Sequence, residues 1–296
     1  MTTSTFTSPF DCDTDAHFRA WGSQISAQLA AVGLTQTADT GQIDWTTASI
    51  AGYPGAVGYE VWAFNDSFQS TTPIVFRLEY GANSAENPYM AITAGGASDG
   101  AGNITGTLKT EHIQQNVSGP NYLQAYPSYI CYKPSTGFLG VALKIGAASG
   151  TYGGQGFCFT RTNDTSGAAT GDGWNLYCTS TRAGSYSGFY FQNPGQGIAL
   201  PSNQQLTENP NYVAWPQGLS SSYANGSLQA MPLWALQPAI QTNAQLCAYI
   251  NSELPPGNQF SLNAVGLTAR NFITVGSAWG QPVTGVSTYG FAMIWE

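Results

Sequence analysis

Two short stretches decide how this chain is read: Tyr59 to Phe64, YEVWAF, and Ile74 to Tyr80, IVFRLEY. In the second, Arg77 and Glu79 alternate with Phe76, Leu78 and Tyr80, the period of two that buries one face of a strand. Gln42 to Trp45 is expected as a strand before them, and Met90 to Thr93 as one after. These apolar pieces are short, evenly spaced and divided by Gly, Pro, Asn and Asp. That punctuation favours antiparallel pairing over strand–helix–strand units.

Outward toward the start of the chain lies the clearest helix, residues 14–32, TDAHFRAWGSQISAQLAAV. Phe18, Trp21, Ile25 and Leu29, with Val32, recur at spacings of three and four and form one apolar stripe. Thr14 or Asp13 caps its start, Asp15 favours the positive end of its dipole, and Gly33 ends it. This stripe requires a hydrophobic partner, either the first sheet or a neighbouring subunit, and is expected to act as an assembly helix.

Toward the end of the chain, residues 95–106 (GGASDGAGNITG) are expected as a flexible loop or hairpin tip, and residues 109–128 show no clear periodicity. Further strands are expected over residues 138–145, 156–160, 174–179, 188–192, 228–236, 245–250, 259–263, 272–275 and 289–295. Residues 193–227, rich in Pro, Gly, Asn and Ser, are expected as a long loop. The fold class is therefore all-β: two antiparallel β-sandwich or jelly-roll-like domains with one N-terminal amphipathic helix. The expected division gives residues 1–120 to assembly and attachment and residues 121–296 to an exposed or receptor-facing part.

Composition narrows the function. Only 8% of the 296 residues are charged, 16 acidic and 8 basic, against roughly a quarter in ordinary soluble domains. Gly (35 residues), Ser, Thr, Asn, Gln and many aromatics stand in their place. No apolar run approaches the roughly 20 residues of a membrane span. No cluster of Lys and Arg exists to neutralise a phosphate backbone, so direct nucleic-acid binding is not expected. The first 15 residues have neither a basic segment nor an apolar core, so no signal peptide is expected.

Candidate sites are few. Glu60 and Glu79 on adjacent strands, with Asp66 between them, are the carboxyls from which a glycoside-cleaving pair would be drawn; outward-facing or ion-paired roles are the commoner use of such residues. His17 and His112 accompany no GxSxG elbow. The five cysteines, Cys12, Cys131, Cys158, Cys178 and Cys247, form no CxxC. They read as buried thiols, with Cys158–Cys178 as the disulfide alternative. Segments around Asp99 and from Asp164 to Asp172 offer oxygens to calcium but match no known loop pattern. No cofactor or metal site is expected. Trp174, Tyr177, Tyr186, Tyr190 and Trp215 are candidates for stacking on an uncharged glycan or a partner; core or subunit packing is the competing reading, since period two turns half of such side chains inward.

The segments FRAWGSQISAQLAAVGLTQTADTGQIDW and GYEVWAFNDSFQSTTPIVFRLEYG, followed by ITAGGASDGAGNITG, resemble the N-terminal part of tailed-bacteriophage virion proteins, and the closing GFAMIWE is similar to their ends. The resemblance covers about the first 110 residues and the last ten; residues 109–225 match nothing in it. It implies a structural tail, neck or fibre component, made in the host cytoplasm and carried in the virion. Such a component would form a homo-oligomer, a ring or trimer, with other virion proteins as partners and a bacterial surface glycan as a candidate contact. No catalytic residue is carried over. A lectin-like carbohydrate-binding module is the alternative, and a polysaccharide depolymerase the second.

Overall fold

The computed structural model describes residues 1–8, 14–51, 55–84, 87–106, 111–114, 126–143, 155–163, 168–180, 188–192, 229–232, 246–250, 257–262, 270–276 and 289–296. They are mostly β, with one α-helix, and their sheets are antiparallel. The expected loop 193–227 lies outside the described residues.

The helix α1 (Asp15–Ala31) forms where the periodicity places it. Thr14 is its N-cap, its side-chain oxygen accepting a hydrogen bond from the His17 N–H at 3.1 Å. Gly33 follows its end with φ +106°, a conformation that favours glycine. Phe18, Trp21, Ile25 and Leu29 are buried. Trp45 packs so closely over Gly22 that a Cβ there would lie 1.9 Å from its ring. The stripe is thus satisfied within the chain, against the first sheet, one of its two expected partners.

That sheet runs in the order β2 (Thr35–Gln36), β3 (Gly55–Ala63), β4 (Val75–Ser84), β5 (Asn87–Gly95), β8 (Glu111–Gln114). Between β5 and β8, a small hairpin pairs β6 (Ala97–Ser98) with β7 (Ile104–Thr105). In β4, Phe76, Leu78 and Tyr80 are fully buried while Arg77 and Glu79 lie on the half-buried opposite face. Gln42 to Trp45 is not a strand. The Gln42 side chain does a strand's work there: its Oε1 accepts from the Val61 N–H at 2.7 Å, and its Nε2 donates to Thr37 O at 2.7 Å.

A six-stranded sheet follows, in the order β1 (Thr2–Ser8), β9 (Tyr126–Lys133), β10 (Phe138–Leu143), β11 (Gln155–Asn163), β12 (Ala169–Ser180), β13 (Gly188–Gln192). Its strand β10 is buried on both faces, every one of its residues being buried. Such strands read as unbroken apolar runs because neither side meets water. One face, carrying Ile130, Tyr132, Leu139, Val141, Phe157, Phe159, Trp174 and Leu176, shares a hydrophobic cluster with α1 and the first sheet. Rings interlock across that gap: Phe64 lies 5.3 Å from Tyr132 and 5.5 Å from Phe159, and Phe76 lies 5.2 Å from Phe159.

The other face meets a third sheet, in the order β14 (Gln229–Pro232), β15 (Leu246–Ile250), β18 (Tyr289–Ile294), β17 (Arg270–Gly276), β16 (Gln259–Leu262). The Cys131 thiol donates to Ile294 O at 3.1 Å, and the Tyr129 and Trp295 rings meet edge-on at 5.9 Å. A Cβ on Gly140 would lie 2.7 Å from Met293 Sδ. The middle sheet therefore binds both of its neighbours. Residues on either side of the expected boundary at 120 share one core, and β1 pairs with β9 across it.

Candidate functional site

The candidate carboxyls on the first sheet fall into separate environments. Glu60, on β3, is 1% exposed and sits beneath three donors. Trp45 Nε1 donates to its Oε1 at 2.8 Å; Trp62 Nε1 and the Tyr80 hydroxyl donate to its Oε2 at 3.3 and 2.9 Å. A buried carboxyl needs such partners, because an unpaired one carries a large desolvation cost. Burial, reinforced by the adjacent Glu60, pushes the Tyr80 hydroxyl well above the usual tyrosine range.

Glu79 stands opposite Tyr59, and Glu60 opposite Leu78. Neighbouring ladder positions point to opposite faces, so the sheet itself separates the two carboxyls. Glu79 Oε1 pairs with Arg77 Nη2 at 2.6 Å. Asp66 turns toward the middle sheet, where Arg161 grips both its oxygens: Nη2 to Oδ1 at 2.9 Å and Nε to Oδ2 at 3.0 Å. Arg161 Nη1 also donates to Thr72 O, and the Thr72 hydroxyl to Gly171 O. Glu60, Glu79 and Asp66 are not brought together, and Glu79 takes the ion-paired role named as the commoner use of such residues.

The glycine-rich hairpin is clipped onto the outer face of the first sheet instead of hanging free as a flexible tip. The Tyr59 hydroxyl donates toward Thr40 O at 2.7 Å and Ala101 O at 3.0 Å, and Arg77 Nη1 donates to Gly102 O at 3.2 Å. The guanidinium lies 4.2 Å from the centre of the Tyr59 ring, a cation–π contact. Asp39 receives the Ser98 hydroxyl and, at 2.8 Å, the Gly102 N–H. Burial works against its charge, but these bonds and that from Thr37 hold it below the usual carboxylate range. Ile104 closes a small apolar cluster with Val61 and Val75 underneath.

Asp99, considered for calcium, accepts instead from Asn103 Nδ2 at 2.7 Å and from the N–H groups of Ala101 and Asn103 at 2.8 and 3.1 Å. Those bonds, the Asn103 side chain foremost, lower its pKa. Among the described residues no group of three or more His, Cys, Asp or Glu gathers around a point. The segment from Asp164 to Asp172 lies only partly within the described residues.

Trp174 is 4% exposed and lies in the core with its ring 5.6 Å from Phe159. Its faces are covered by the protein's own side chains, so its candidacy as a sugar platform is corrected. Tyr177 and Tyr190 fall on β12 and β13, with their side chains outside the described residues; Tyr186 and Trp215 lie wholly outside them. Cys131 and Cys158 are buried reduced thiols. Cys158 stands opposite Tyr177, and Cys178 opposite Phe157, one position away from the register that a direct cross-strand bridge requires.

Sequence reading missed the pairing of Asp66 with Arg161 and the donors over Glu60. Signals for both exist: an Arg inside the apolar run GFCFTRT, and a Glu flanked by Tyr, Val and Trp in YEVW. No helix among the described residues is long and apolar enough to cross a membrane. Compared with protein-family models, curated proteins and solved structures, the chain matches none.

Proposed function

We propose that this chain is a self-associating structural component of a tailed-phage particle, in its tail, neck or fibre apparatus, built from jelly-roll-like sandwich layers. The observation that carries the proposal is where the scarce charge is used. Arg77, Arg161 and Lys133 are spent on Glu79, Asp66 and Glu296, and Arg19 donates to Ala48 O at 2.9 Å. Asp15, Asp39, Asp44 and Asp99 accept hydrogen bonds from their own chain.

Among the described residues these charges thus brace the fold, and the exposed positions are mostly Thr, Ala, Gly, Ser, Asn and Gln. Among the described residues Met1 is the one large apolar side chain that is exposed. A neutral polar exterior is covered by sister chains without stripping water from ions, a step that is costly unless each ion is paired. The sequence resemblance to virion proteins supports the same reading.

The test joins sedimentation velocity on purified chain with quantitative mass spectrometry of disrupted particles from the same source. The expected result is a discrete oligomer and a fixed copy number per particle. A monomer at every concentration, with the chain missing from particles, overturns the proposal.

A further inference from the structure

The strand order of the middle sheet ends in β1, TTSTFTS. Its pairing with β9 runs without a bulge from Thr2 opposite Tyr132 to Ser8 opposite Tyr126. Among the described residues no strand pairs with its other edge. Thr2, Thr3, Thr5 and Thr7 are exposed; over Thr2 to Thr7 the one buried side chain is Phe6, turned inward at 9% exposure. On the inner side the strand is braced by the Ser4 hydroxyl, which donates to Gln28 Oε1 on α1.

Natural sheets protect open edges with Lys or Glu, with Pro, with bulges or by shortness. This strand has seven residues, no charge, no Pro and no bulge. One edge of the first sheet, by contrast, is blunted to the two residues of β2, and the other is the four-residue β8.

We infer that the open edge of β1 is an interface, and that its occupant is β1 of a second copy, paired antiparallel about a two-fold axis at Thr5. This inference rests on the proposed self-association and supplies its contact. Antiparallel strand addition is a common mode of recognition, in which main-chain bonds supply affinity. Two-fold pairing about Thr5 sets Thr5 against Thr5, Thr3 against Thr7, Thr2 against Ser8 and Ser4 against Phe6. Hydroxyl residues facing one another in this way are favourable cross-strand pairs, whereas like charges directly opposite are not. An edge carrying a charge on the axis would repel its own copy; β1 carries none. The absence of exposed apolar residues along β1 fits the same partner, since a strand edge associates through its backbone.

The test is charge exchange on the axis. In the full-length chain, Thr5→Lys and Thr5→Glu are each prepared, and near-ultraviolet circular dichroism verifies that the tryptophan core is kept. Sedimentation of wild type is expected to show association, each variant alone is expected to lose it by tenfold or more, and an equimolar mixture of the two is expected to regain it. Association of both variants at the wild-type level overturns the β1 contact while leaving self-association intact. Loss in both without recovery in the mixture overturns the two-fold register at Thr5. A wild-type chain that never associates overturns this inference, and overturns the structural proposal as well when the chain is also missing from particles.

Discussion

Arg161 and Asp66, 95 residues apart in sequence, form a two-point ion pair whose side chains are both completely shielded from solvent. The pair joins the loop after β3 to the middle sheet. Breaking a buried pair by removing one partner strands the other charge, at about 3–5 kcal/mol. Arg161→Met and Asp66→Ala are each expected to lose stability of that order in urea denaturation. The double variant should lose less than the two losses added together, because no lone charge is then left inside.

Glu60 gives a second test. Glu60→Ala leaves the indole N–H groups of Trp45 and Trp62 and the Tyr80 hydroxyl without their acceptor, at about 1–3 kcal/mol for each group left unsatisfied. Glu60→Gln retains a carbonyl acceptor and is expected to lose less. Denaturant midpoints order the variants, and tryptophan fluorescence is expected to shift in both.

The hairpin clip predicts that two neighbouring glycines respond differently. A Cβ added at Gly100 (φ +83°) would have nothing within 4 Å, while one added at Gly102 (φ +85°) would fall 2.3 Å from the Tyr59 ring. Gly100→Ala should cost only the left-handed backbone penalty of about 1–2 kcal/mol. Gly102→Ala should cost more and should raise amide exchange from Asp99 to Asn103, where Gly100→Ala leaves it near wild type.

Alkaline pH should destabilise the fold by a predictable sign. Burial raises the hydroxyls of Tyr80, Tyr132 and Tyr129 and the Cys131 thiol. Above the ordinary tyrosine value of about 10 the unfolded chain gives up protons that the folded chain keeps, so stability falls as pH rises. At the acid end Asp15, Asp39, Asp44 and Asp99 are lowered, chiefly by hydrogen bonds, although burial opposes this most strongly at Asp39. Their contribution is present above the ordinary carboxyl value of about 4 and is lost as pH falls through the lowered values. Denaturation midpoints across pH should therefore decline at both ends; a midpoint that rises above about pH 10 contradicts the assignment.

Cys131 and Cys158 are expected to resist a thiol reagent in the folded chain and to react on denaturation, with no prior reduction needed. Mass spectrometry of labelled peptides checks this directly.

The helix and the β3–β4 pair were legible because each turns one face to the core, which writes a period into the sequence. β10 is legible as apolar but not as alternating, since both its faces are covered. β1 left no such mark: over Thr2 to Thr7 it buries one side chain, and its place is set by backbone pairing with β9, far along the chain. Gln42 to Trp45 carries a strand's composition, yet beside one backbone bond, from the Ile43 N–H to Tyr59 O, it is the Gln42 side chain that reaches the Val61 N–H and Thr37 O. The clip beneath the hairpin was invisible for a related reason. It depends on Tyr59, Arg77 and Asp39 converging on carbonyls and N–H groups, and carbonyls and N–H groups have no signature in a sequence.

The third sheet places β18 between β15 and β17. Of its five strands, the one translated last is the one that holds the others together. A nascent polypeptide on the ribosome therefore holds this layer as two separate strand pairs, β14 with β15 and β16 with β17, until residues 289–294 emerge to join them.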